Sequence, residues 1–209
     1  MNLKWFWLRS LPKSAFVWRG RPSSPRIALT FDDGPYTDTT DELLNILKET
    51  KVVATFFLSG SQIAERPDLL LKIHFNGHEI GNHAYTHRPS SELGLKELID
   101  ELTLTQETIR KHIGSYPKLF RPPYGDLNLK VLLAARRCML TTVHWTIDPR
   151  DYSLNEPSDV IEKLRETQFK GGEIVLFHTD SYATLKALPD IIQGLCAQGI
   201  QMTNVSEII

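Results

Sequence analysis

The sequence predicts an α/β fold in which parallel strands alternate with helices and curl into a barrel, and three observations carry that prediction. From residue 26 to the C-terminus, short β-branched or aromatic runs alternate with longer runs of helical period, and no repeat, low-complexity segment or linker divides them. Such alternation gives a parallel sheet with helices outside it. At 209 residues the chain has the ordinary length of one such domain and can bury a sizeable core. An open doubly wound sheet and a closed barrel both satisfy the alternation, so the unusual polar residues decide. Asp32 and Asp33, His83 and His87, Arg121, Asp148 and Asp151, and His178 each follow the carboxyl end of a different strand, and in a barrel those ends converge on one mouth.

Arg26 to Phe31 reads as the first strand: Ile27, Ala28 and Leu29 lead into Thr30 and Phe31, and Asp32-Asp33-Gly34-Pro35 stops the run with two acids and a turn. Thr39-Thr40-Asp41-Glu42 has capping-box spacing ahead of Leu43, Leu44, Ile46 and Leu47, which recur at helical period. Val52 to Leu58 is a second strand ended by Gly60; Ile63 to Phe75 is helical with a break at Pro67 and a stop at Asn76-Gly77; His78 to Asn82 is a third, short strand. Ser91 to Ile113 is the longest helix, with Leu95, Leu98, Leu102, Thr105 and Ile109 on one stripe and Gly114 closing it. Lys118 to Phe120, Thr141 to Ile147, Glu173 to Phe177 and Gln201 to Val205 read as strands, and Leu127 to Met139, Ser158 to Thr167 and Leu185 to Gln198 as the helices between them. Residues 1–25 form a lead-in segment, its end from Arg19 to Pro25 a loop, and 26–209 the domain proper.

Acidic and basic residues nearly cancel, with a formal net charge of -1, so nucleic acid and anionic membrane are poor partners and a neutral one fits better. Cys138 and Cys196 are far apart, in no metal spacing, and read as two buried thiols without a disulfide. No stretch approaches the ~20 apolar residues that span a bilayer. Met1 to Leu8 carries Trp5, Phe6 and Trp7 after Lys4, too short a run for a signal peptide; the expectation is aromatics packed onto the domain, or a weak interfacial anchor, in a protein cytoplasmic by default. Oligomeric state has no code in the sequence.

The chemistry starts at Asp32 and Asp33. Adjacent carboxylates repel, and both are comfortable as anions only beside a cation, which asks for a metal; alone, Asp-Asp-Gly also suits an exposed turn. His83-Ala84-Tyr85-Thr86-His87 has the spacing that puts two imidazoles on one side of a single helical turn. With Asp33 they make a set of three ligands that leaves positions open, the pattern of a catalytic zinc. His74, His78, His112 and His144 have no such partner and read as ordinary surface or core residues. In Arg121-Pro122-Pro123-Tyr124-Gly125, two prolines stiffen a backbone that can present an amide donor, and Arg121 is a permanent cation able to hold a carboxylate as an anion. Asp148-Pro149-Arg150-Asp151-Tyr152 adds a second acid pair, and Ile174-Val175-Leu176-Phe177-His178 a histidine at a strand tip.

In this order, Thr-Phe-Asp-Asp-Gly-Pro, His-x3-His, Arg-Pro-Pro-Tyr-Gly, Asp-x-x-Asp-Tyr and Ile-Val-Leu-Phe-His resemble the five motifs of the polysaccharide deacetylases, carbohydrate esterase family 4, also called the NodB-homology domain. Ala54 to Gly60 and Gly77 to His83 are similar to that family as well, and the resemblance runs from about residue 26 to 207. It implies a distorted, incomplete (β/α) barrel of about seven parallel strands and metal-dependent removal of acetyl groups from N-acetylated sugars such as N-acetylglucosamine in oligo- or polysaccharides. It further implies Asp33, His83 and His87 as ligands of a divalent metal, Zn2+ first with Co2+ or Ni2+ as substitutes. Asp32 would be the general base and Arg121 its orienting partner, the Tyr124 amide would hold the oxyanion, and His178 would be the general acid, supported by Asp151 or else Asp148. Two positions depart from the family pattern: Ala84 stands where a Ser or Thr is usual, removing a hydroxyl that supports the loop, and Tyr152 where Trp is more frequent. An O-acetyl xylan esterase or a lipid-linked sugar deformylase would use the same machinery. From other classes stand a sugar-binding module that has lost catalysis and a metal-free amidase, both disfavoured because base, ligands and acid are all present.

Overall fold

The computed structural model of the protein describes residues 8–22 and 25–209. Eight strands form one parallel sheet: β1 (Phe16–Val17), β2 (Arg26–Asp33), β3 (Thr55–Leu58), β4 (Glu79–Asn82), β5 (Leu119–Phe120), β6 (Thr141–Val143), β7 (Ile174–His178) and β8 (Gln201–Thr203). Their order is β1-β6-β5-β4-β3-β2-β7. β2 is the central member: its upper half pairs with β3 on one edge and β7 on the other, while β8 fills the space below β3 along Arg26 to Ala28. The segment that follows β6 reaches β7 through an isolated bridge between Ile147 and Val175. The ring is thus a distorted, incomplete barrel. The helices that cover it are α1 (Thr40–Glu49), α2 (Gly60–Glu65), α3 (Pro67–Phe75), α4 (Leu95–Ile113), α5 (Leu129–Arg137), α6 (Pro157–Arg165) and α7 (Tyr182–Ala197).

The near-continuous apolar run of β2 follows from burial on both faces. Ile27, Leu29 and Phe31 belong with Leu43, Leu47, Leu70, Ile73, Leu188 and Ile192 to the core shared with α1, α3 and α7. Ala28, one position out of phase, belongs with Phe57, Val143, Ile174 and Val205 to a separate cluster built mostly from the strands' other face. Phe31 is fully buried and stacks on Phe56 and Phe177, with ring centroids 5.3 and 5.6 Å away. A third cluster joins Leu98 and Leu102 of α4 to Val131 and Ala135 of α5 and to Leu8, Phe16 and Phe120.

Several elements differ locally from the sequence reading. The Val52 to Leu58 strand begins only at Thr55, and the Thr141 to Ile147 strand ends at Val143, after which the chain crosses toward β7. The break at Pro67 separates two helices outright, because Pro67 starts α3 as a first-turn residue with no amide to lose. Thr39 makes no side-chain cap; instead Thr40 Oγ1 accepts from the Tyr36 amide. Ser90–Glu92 is a separate 3-10 turn before α4. Both cysteines are free, and Cys138 is buried, but Cys196 is exposed, on the outer side of α7. The expected packing of Trp5, Phe6 and Trp7 lies outside the described residues. Among those described, no helix is long and apolar enough to cross a membrane.

Candidate active site

β2 carries its two acids to the mouth with different surroundings. Asp32 is 3 % exposed, and its Oδ1 accepts from Arg121 Nη1 at 2.7 Å. Thr179 grips the backbone of the same residue, its amide and its hydroxyl both donating to the Asp32 carbonyl. Arg121 is fully buried, with its Cζ 4.2 Å from the centre of the Phe57 ring, and the same Nη1 also donates to Thr30 Oγ1 at 2.7 Å. Burial pulls the guanidinium's pKa down, and the Asp32 carboxylate opposes that pull.

Asp33 turns the other way, in a left-handed conformation with φ 81°. Its Oδ1 lies 3.2 Å from His83 Nε2 and 2.9 Å from His87 Nε2. Burial works against its ionisation, but the hydrogen bonds and charge of the two histidines outweigh it and hold the carboxyl well below the usual carboxylate range. The donor atoms of Asp33, His83 and His87 all lie within 4.8 Å of one another. Donors held about 2.0–2.2 Å from one ion stand roughly 3–3.5 Å apart, so this set fits a single divalent cation. His83 Nδ1 lies 2.7 Å from the Arg121 carbonyl, which can only accept. Nδ1 therefore carries a proton, which leaves Nε2 as the nitrogen that would face a bound ion.

The segment between the histidines is not a helical turn. Ala84 and His87 are left-handed, with φ 60° and 57°, and the loop is anchored from three sides. The Ala84 amide donates to Asn82 Oδ1. The Gly60 and Ser61 amides at the start of α2 donate to the Ala84 and Tyr85 carbonyls at 2.9 and 3.0 Å. From α4, Glu101 accepts from the Tyr85 amide, the Thr86 amide and the Thr86 hydroxyl at 2.9, 2.7 and 2.9 Å. Thr86 thus supplies a hydroxyl to a loop that has none at Ala84.

Across the mouth, His178 Nδ1 lies 2.7 Å from Asp151 Oδ1, and the His178 amide donates to Asp151 Oδ2 at 2.9 Å. Thr184 Oγ1 donates to the same Oδ2, and Asp151 is 1 % exposed. Burial lowers the His178 pKa, but the bond to Asp151 and the charges of Asp151, Asp32 and Asp33 more than reverse this and push it up to about 9. Asp148 does not touch His178; its Oδ1 accepts from the Arg150 amide within its own turn.

These groups meet at one cavity of about 440 Å³, lined by Asp32, Asp33, His83, His87, Tyr124 and His178 together with Gly125, Trp145, Asp148, Tyr152, Leu176 and Asp180. Tyr124 is left-handed at φ 59°, with its ring 4.8 Å from that of His87. Asp151 and Arg121 stand behind the wall, each holding a group that faces the cavity. Trp145, Asp180, Glu101, Thr179 and Thr184 were not singled out by the sequence. Asp180, two residues beyond the strand-tip histidine, carried the clearest unused signal.

A polysaccharide deacetylase family model matches residues 19–143. The chain is 34% identical over 199 residues to the peptidoglycan-N-acetylmuramic acid deacetylase PdaC of Bacillus subtilis (strain 168), a match covering 95% of this chain and 41% of the relative. It spans about two fifths of the length of the first curated relatives it matches. Among solved structures, the Bc1960 peptidoglycan N-acetylglucosamine deacetylase superposes with a TM-score of 0.91 at 28% identity, over 98% of this chain and 96% of that one. BA3943 of Bacillus anthracis, a CE4 family pseudoenzyme, superposes with a TM-score of 0.88 at 30% identity, over 96% of this chain and 70% of that one. The shared fold therefore includes an inactive relative, and activity has to be argued from the residues.

Proposed function

Because the chain belongs to the polysaccharide deacetylase family, we propose that it hydrolyses acetyl groups from N-acetylated sugars, in N-acetylglucosamine-containing oligo- or polysaccharides, and releases acetate. The observation that carries this reading is the division of labour around one cavity: a carboxylate held by Arg121, a histidine held by Asp151, and three metal-type donors beside them.

An amide is a poor electrophile and an amine a poor leaving group, so the hydrolysis needs an activated water, a stabilised oxyanion and a proton donor. Asp33, His83 and His87 would hold a divalent ion, zinc first with cobalt or nickel as substitutes, which when bound would supply Lewis acidity for the hydrolysis. Asp32 accepts the water's proton; Arg121 keeps that carboxylate oriented. The backbone amide of Tyr124 donates to the oxygen that gains charge as the carbonyl is attacked. His178, protonated at the pH of the reaction, gives its Nε2 proton to the nitrogen as the carbon–nitrogen bond breaks, so that free amine and acetate leave. Asp151 holds the imidazolium and its ring orientation.

The test is acetate release from chitooligosaccharides, peptidoglycan and acetylxylan, after chelation and again with metal restored. Activity lost on chelation and regained with zinc is the expected result. Acetate from acetylxylan alone would replace the amidase reading by an O-acetyl esterase, and binding of sugars with no acetate released by any metal would leave a binding module.

A further inference from the structure

Glu101 of α4 is not among the residues that line the catalytic cavity. One carboxylate on α4 takes three hydrogen bonds from residues 85–86, the middle of the loop that spaces His83 from His87. The geometry points to Glu101 as a positioning residue for the metal ligands: it holds a loop containing two left-handed residues in the one shape that brings both Nε2 atoms to Asp33. Both amides donate to Oε2 and the hydroxyl to Oε1, so glutamine could keep all three contacts by donating its NH2 to the Thr86 hydroxyl, whereas alanine removes them. Zinc affinity of the metal-free full chain, measured by competition with a chelator, should fall about tenfold to a hundredfold in Glu101→Ala. Glu107→Ala, on the same helix but bonded to Arg110 and Tyr116, should bind zinc like wild type, and the two metal-free variants should melt at similar temperatures. Unchanged zinc affinity in Glu101→Ala overturns the role. If that variant does not fold, Glu101→Asp, which keeps the charge but not the reach, decides in the same way.

Discussion

Asp32 on β2 lies directly across from His178 on β7 in the parallel register, so the two side chains rise from the same face of adjacent strands. The side chains proposed as proton acceptor and proton donor are thereby spaced by the strand separation itself, about 4.8 Å in any sheet, and not by flexible loops. The loops bring the rest of the constellation to this fixed pair.

If Asp32 is the base, Asp32→Asn should keep its metal and lose about 10² to 10⁴ in kcat, since an amide cannot take the water's proton. Metal content and turnover measured on the same preparation check this. Loss of metal from Asp32→Asn with retention in Asp33→Asn would show the two acids' roles to be reversed.

His83→Ala removes one donor from the set of three and breaks the bond to the Arg121 carbonyl. Zinc affinity should drop at least tenfold to a hundredfold, and activity should return only at high added zinc. Full metal content with full activity would exclude His83 as a ligand.

The pH profile reports on His178. Its pKa is raised, so the acid form needed to protonate the amine dominates below about 9 and is lost as pH rises through that value; kcat should fall along a basic limb there. Asp151→Asn removes the neighbouring charge and should move the limb to lower pH, whereas Asp148→Asn, bonded only in its own turn, should leave it near its place. His178→Ala should abolish most amide hydrolysis while sparing acetyl esters with good leaving groups. A limb unmoved by Asp151→Asn, or equal loss on esters and amides, would remove the acid role.

Phe31→Ala cuts a fully buried ring from between Phe56 and Phe177. A loss of about 3–5 kcal/mol is expected from such a truncation, read as a lower urea midpoint at unchanged slope. Because Phe31 immediately precedes Asp32, the surviving folded fraction should also show reduced turnover.

The sheet and most helices were legible because burial on one or two faces imposes a period that a single sequence displays. Asp32, Asp33 and His178 stood out because each ends an apolar run. Other features had no such local trace. The His83–His87 spacing matches a helical turn, yet the chain there answers to Glu101 and to the α2 amides, partners that leave the loop no helical path. Thr179 reaches the Asp32 carbonyl from 147 residues away, and Thr184 reaches Asp151 from 33. Cys196 sits among aliphatic neighbours, but helical rotation turns it outward.

Five of the residues around the mouth, Asp33, Ala84, His87, Tyr124 and Arg150, share the left-handed backbone region. Aspartate and histidine tolerate it comparatively well; for Ala84, Tyr124 and Arg150 the cost is roughly 1–2 kcal/mol each. Against a net stability of about 5–15 kcal/mol for a whole domain, that concentrates the molecule's weakest margin where the substrate arrives. Amide hydrogens in 83–87 and 123–126 should therefore exchange with solvent well before those of β2, by opening events that leave the barrel intact. A bound cation would act as a latch on the first of these segments, slowing its exchange while the second stays fast. The mouth would then be a separate cooperative unit, its opening equilibrium shifted by metal binding.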